Sequence, residues 1–119
     1  MTVEAFIARA IDHGYAGGTA ALSDVEREIF LIAELEVCCD KDGIDSFIEV
    51  HGLTALSVCS HVLSKLGAIE LSRVLDAVVA SGGVEDGSLD LANRLVTDRC
   101  SYDYEKLEAY FGPKIEGTY

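Results

Sequence analysis

The chain has 119 residues, half of them hydrophobic, with 21 acidic against nine basic side chains and a formal net charge of −12. That length suits one domain burying roughly two thirds of its unfolded surface, and the even spread of apolar residues argues against a disordered tail or a polar scaffold. The charge argues against nucleic acid and anionic membrane as direct partners, since both need a basic face, and favours a basic protein surface.

Val3, Phe6, Ile7 and Ile11 fall at helical spacing, with Gly14 expected as a left-handed stop and YAGGTAAL as a small flexible loop. Ser23-Asp24-Val25-Glu26 reads as a capping box, in which the serine hydroxyl and the glutamate each take up a free amide. The helix it opens, about Asp24 to Cys39, is apolar around most of its circumference, the mark of a central helix packed by neighbours. Ile44 to His51 reads as a short helix closed by Gly52, Leu53 to Leu66 as one closed by Gly67, and Ile69 to Ala80 as one closed by Ser81-Gly82-Gly83. The polar loop VEDGS precedes a helix over Leu89 to Val96, and a last helix near Tyr102 to Phe111 is expected to stop at Gly112-Pro113. No stretch alternates apolar and polar residues between turn signals, so no strand is expected. The expected fold is all-α, a single compact acidic domain over residues 1–119 with about six helices and short connections.

The longest apolar runs, such as IFLIA and AVVA, are too short to cross a bilayer. The amino terminus lacks a basic start followed by a long apolar run, so no secretory signal is read and a cytoplasmic protein is expected. Cys38 and Cys39 are adjacent while Cys59 and Cys100 stand alone, a spacing unlike a disulfide framework; buried reduced thiols are expected.

Candidate chemistry is sparse. Asp40–His51, DKDGIDSFIEVH, opens like a calcium loop, but positions 5, 6 and 12 are Ile44, Asp45 and His51 where oxygen, glycine and glutamate are needed. An acidic helix-connecting turn is the plainer reading. Cys38, Cys39, Cys59, His61 and Cys100 lack zinc-site spacing, and AGGTA lacks the lysine of a phosphate loop, so no metal or cofactor is expected. Glu34 is the one possible functional carboxylate: on the central helix it lies among Phe30, Leu31, Val37 and Cys38, and burial disfavours a carboxyl's charged form. A small enzyme using Glu34 is one reading; a hydrogen bond to a neighbouring helix or loop is the plainer one.

The segments LSDVEREIFLIAELE, DGIDSFIEVHG and LSKLGAIELSRVLDAVVASGG follow one another in an order that resembles the acidic DNA-mimic protein family, whose helical domain was long catalogued as one of unknown function. Glu34 and Glu36 match that family's acidic pair, Asp42-Gly43-Ile44 stands for its glycine-rich turn, Phe47 keeps one aromatic, and Leu66-Gly67-Ala68 matches its helix junction. The closing YDYEKLEAYF is similar to its acidic-aromatic helix. The resemblance implies an all-helical fold, a homodimer, and a protein that occupies the basic DNA-binding surface of a regulator.

Asp24 to Glu49 holds nine acids and two bases, a net −7, whereas residues 50–84 balance at zero. Glu28, Glu36, Asp40, Asp42, Asp45 and Glu49 are therefore expected to form the partner-binding surface, around one helix end and its turn. A helix rises about 1.5 Å per residue, so its carboxylates can approximate a phosphate row. An immunity-type inhibitor covering a basic toxin or nuclease uses the same surface, and a soluble acidic surface with no such partner is the plain alternative.

Overall fold

The structure is a computed structural model that describes residues 2–18, 22–83 and 87–118, with side chains as far as Ile115. Residues 19–21 of the expected flexible loop and residues 84–86 of the acidic loop lie outside the described residues. Among the described residues there are seven helices and no strand: α1 Val3–Gly17, α2 Asp24–Lys41, α3 Ile44–His51, α4 Leu53–Lys65, α5 Ile69–Ala80, α6 Gly87–Thr97 and α7 Tyr104–Thr118. The count is seven rather than about six. The short α3 is separate from α4, as its closing Gly52 led us to expect: the chain turns there and the two helices bend by 119°.

Local sequence explains most boundaries. The Ser23 capping box forms as expected, with the Glu26 amide donating to Ser23 Oγ at 3.2 Å and the Ser23 amide to Glu26 Oε1 at 3.4 Å. Thr2 caps α1 by a single bond, its hydroxyl accepting from the Ala5 amide at 3.1 Å. Two expected stops do not act as stops. The first helix runs through Gly14, which is buried against the Phe30 ring so closely that a Cβ there would overlap the ring. Glycine is present for a helix crossing, not for a turn. The last helix runs through Gly112-Pro113 because Phe111 and Ile115, on either side of the proline, are both buried, and their packing holds the helix together across one missing hydrogen bond.

The second helix is the hub. It touches α1, α3, α4, α6 and α7, and buries Ile29, Phe30, Leu31, Ile32, Leu35 and Cys39 around nearly its whole circumference. The hairpin of α4 and α5 packs closely beside it. Ser60 and Ser72 face each other there at 2.8 Å, with the Ser72 hydroxyl donating to the Ser60 carbonyl and the Ser60 hydroxyl to the Asp76 carboxylate. Small polar residues let the two backbones approach while every hydroxyl finds a partner. The result is one compact globule, with a radius of gyration of 13.6 Å against about 13.5 Å for a domain of this length. Among the described residues no single helix is long and apolar enough to cross a membrane.

Candidate functional site

The second helix carries the candidate residues, and its geometry separates them. Successive residues turn about 100° around a helix, so Glu34 and Glu36 face nearly opposite sides. On the Glu36 side the α6–α7 connection folds back and docks. Glu36 accepts from the Tyr102 hydroxyl at 2.6 Å and pairs with Arg99 Nε at 2.9 Å. Asp40, one turn further on, takes the fork of the same guanidinium at 3.2 and 2.9 Å. Arg99 holds the Asp40 carboxyl below the usual range, and its own pKa rises through the same bond. Burial pushes Tyr102 up, and the Glu36 charge adds to the shift.

Arg99 also has an unusual backbone. Helix α6 ends in a Schellman motif, with Arg99 N–H donating to the Val96 carbonyl and Cys100 N–H to Leu95. Helices α4 and α5 end in the same motif with Gly67 and Gly82 at the left-handed position, at φ of 91° and 76°. In α6 that position is Arg99, at φ 52°. Its guanidinium makes good the strain: besides the two carboxylates it donates to the Val96 carbonyl at 2.7 Å.

The remaining acids divide again. Glu28 lies two turns before Glu36 and accepts from the Tyr110 hydroxyl at 3.3 Å, with the Lys114 amine 4.6 Å from the centre of that ring. Asp42 closes α2, Asp45 stands in the first turn of α3 and Glu49 one turn later on the same face; all three are exposed. Among the described residues none of these three has an ion pair. Of the six expected partner-binding acids, the structure thus brings Glu36 and Asp40 together on Arg99 and gathers Asp42, Asp45 and Glu49 at the α2–α3 corner. Glu28 stands apart on the α7 side.

Glu34 lies on the other side of α2 and is buried, with 9% of its surface exposed. It lines an open cleft of about 430 Å³ between α1, α2 and α3, together with Tyr15, Phe30, Cys38, Val50 and His51. Phe30, Glu34 and Cys38 come from successive turns of α2, so they form one stripe. The Phe30 ring meets Tyr15 edge-on at 5.7 Å and His51 edge-on at 6.0 Å. Tyr15 and Val50 form the rim, 68% and 69% exposed. No lysine or arginine lines the cleft. Its hydrogen bond to Glu34 raises the Tyr15 pKa, and burial, then the Glu34 charge, raises that of Cys38.

The four thiols are free, but only Cys39 and Cys59 are buried; Cys38 and Cys100 are half-exposed, because their places on the helix and loop face an edge rather than the core. Burial pushes Cys39 up to about 12 and Cys59 higher still. Tyr15, His51, Arg99 and Tyr102 were missed as site residues by the sequence. Only the spacing of Phe30, Glu34 and Cys38 gave a signal that could have found the cleft. Comparison of the chain with protein-family models, with curated proteins and with solved structures finds no match in any of the three.

Proposed function

We propose that this is a non-catalytic binding protein that engages a basic protein surface through the α2–α3 corner and, as a DNA mimic, occupies the DNA-binding face of a regulator. The observation that carries this reading is the trio Asp42, Asp45 and Glu49, exposed on one corner where, among the described residues, none of the three has an ion pair and Lys41 is the one neighbouring cation in sequence. Spacing supports it as well: one turn of α3 separates Asp45 from Glu49 by about 6 Å along the axis, close to the roughly 6.8 Å of two phosphate steps on one DNA strand. The like charges repel, and a cationic surface relieves that repulsion.

The test uses the whole chain immobilised beside its Asp42→Asn/Asp45→Asn/Glu49→Gln variant, both exposed to lysate from the source cells at graded salt. The expected result is a basic DNA-binding protein retained by the parent, lost from the variant, released as salt rises and displaced by duplex DNA. A retained nuclease or other toxin would identify an immunity-type inhibitor instead. Equal retention by parent and variant, or indifference to salt and duplex DNA, would refute the proposal.

A further inference from the structure

We infer that the cleft between α1, α2 and α3 receives one arginine side chain of a basic protein partner, its guanidinium held on the Glu34 carboxylate and stacked against the Tyr15 ring. This rests on the binding reading above and names the contact that gives it selectivity.

Four features converge on that guest. First, Glu34 is a carboxylate nine-tenths buried whose cleft holds no lysine or arginine, and whose one imidazole, His51, packs edge-on against Phe30. Its carboxylate faces the cleft with the Tyr15 hydroxyl as its neighbour and no lysine or arginine beside it, so a cation entering between these walls is screened less than one on the open surface. Second, the walls suit a flat cation. Tyr15 and Phe30 present aromatic groups beside the carboxylate, and a guanidinium can stack on a ring while its fork meets two carboxylate oxygens; an ammonium cannot do both. Third, exposed Val50 on the rim offers apolar surface for the arginine methylenes. Fourth, Glu34 is the one acidic side chain in the lining and no lysine or arginine offsets it, so the cleft favours a cation. The position is also right for a macromolecular guest: Val50 and His51 directly follow Glu49 in α3, so the cleft opens beside the acidic corner.

The probe is the blocked tripeptide acetyl-Gly-Arg-Gly-amide, titrated into the isotope-labelled whole chain and followed by amide chemical shifts. Lysine and citrulline tripeptides run in parallel. Saturable shifts are expected at Tyr15, Glu34, Cys38 and His51 with arginine, weaker with lysine and absent with citrulline. Glu34→Gln should weaken the arginine peptide at least about tenfold, the scale of one lost charge-assisted hydrogen bond. Tyr15 is exposed, so Tyr15→Leu should fold, and about threefold weaker binding is expected from the lost ring. Unchanged affinity in both variants, equal binding of the citrulline peptide, or shifts confined to Asp42, Asp45 and Glu49 would each overturn the arginine assignment. The tripeptide needs no natural partner, so the two ideas fail separately. A silent cleft with partner capture intact removes only the arginine site. A saturable cleft with no captured partner removes the DNA-mimic reading.

Discussion

Replacing Arg99 tests how the carboxylates of α2 are divided. Arg99→Ala removes the cation from half-buried Glu36, which keeps only the Tyr102 hydroxyl, and removes the donor to the Val96 carbonyl. A lost hydrogen bond to a charged group costs about 1.5–3 kcal/mol. Partial exposure of Glu36 and its surviving tyrosine bond bring that to about 1–2 kcal/mol, and the carbonyl bond adds about 0.5–1 kcal/mol. The expected loss is about 1.5–3 kcal/mol, or a fall in Tm of about 6–12 °C for a chain of this size. Alanine still has to occupy the left-handed position at φ 52°, whereas glycine does so freely. Arg99→Gly should therefore be about 1 kcal/mol more stable than Arg99→Ala, although it removes more of the side chain. Urea unfolding of the three proteins, extrapolated to water, gives both differences. An alanine variant within about 0.5 kcal/mol of the parent, or a glycine variant less stable than the alanine one, would refute the account of the clamp.

Three further outcomes follow from side-chain environments. Gly14→Ala should destabilise by about 1–3 kcal/mol, because the new methyl overlaps buried Phe30. Gly112→Ala, also in a helix but with open space at its Cβ, should stabilise by about 0.5–1 kcal/mol; thermal melts that move both variants the same way would contradict this. Burial opposes ionisation of Glu26, but the His13 ring at 2.9 Å and the bonds from Ser23 outweigh it and hold the carboxyl below its ordinary 4.5. A folded pKa below the unfolded one stabilises fully above pH 4.5 and is lost as pH falls through the folded value, so the gap between parent and Glu26→Gln should narrow on acidification; a gap constant with pH would be the wrong result. Cys39 and Cys59 should resist thiol reagents at mildly alkaline pH until denaturant is added, whereas modification of either in the native protein, read by peptide mass, would contradict their burial.

Elements governed by neighbours in sequence were legible in it. The Ser23 capping box, the bounds of α3 at Ile44 and His51 and the all-round apolar character of α2 depend on spacings of a few residues, and each is found. Gly14 and Gly112-Pro113 misled because a stop signal is local while the forces that overrode it are not: the Phe30 ring comes from the next helix, and Ile115 is fixed by the core it enters. Arg99 was illegible for the opposite reason, since a helix-end glycine was missing and nothing nearby in sequence announced the carboxylates that replaced its advantage. The acids of Asp24–Glu49 looked like one field because a sequence is a line. Wound at about 100° per residue, the same line sends Glu34 and Glu36 to opposite sides. The cleft was half legible, in the stripe of Phe30, Glu34 and Cys38. Its rim of Tyr15 and Val50 required α1 and α3 to be packed in place first.

The division gives the two anionic regions different physical characters. At the α2–α3 corner the carboxylates stand in solvent, where salt screens them within a Debye length of about 8 Å at physiological strength. In the proposed complex their contribution would be long-range attraction and speed of encounter, fading as salt rises. Glu34 lies at the floor of the cleft between Tyr15 and Val50, with 9% of its surface exposed, so an ion pair formed there would be screened less than one at the corner. In the proposed complex its contribution would be a slower dissociation and a choice of side chain, because a guest without a guanidinium would leave the carboxylate without its cation. A partner held by the corner alone loses its affinity continuously with salt, whereas one that also fills the cleft keeps a remainder that salt does not remove. Arg99 belongs to neither region: by binding Glu36 and Asp40 it spends those acids on docking the α6–α7 connection against α2, so they are not available to a partner as Asp42, Asp45 and Glu49 are.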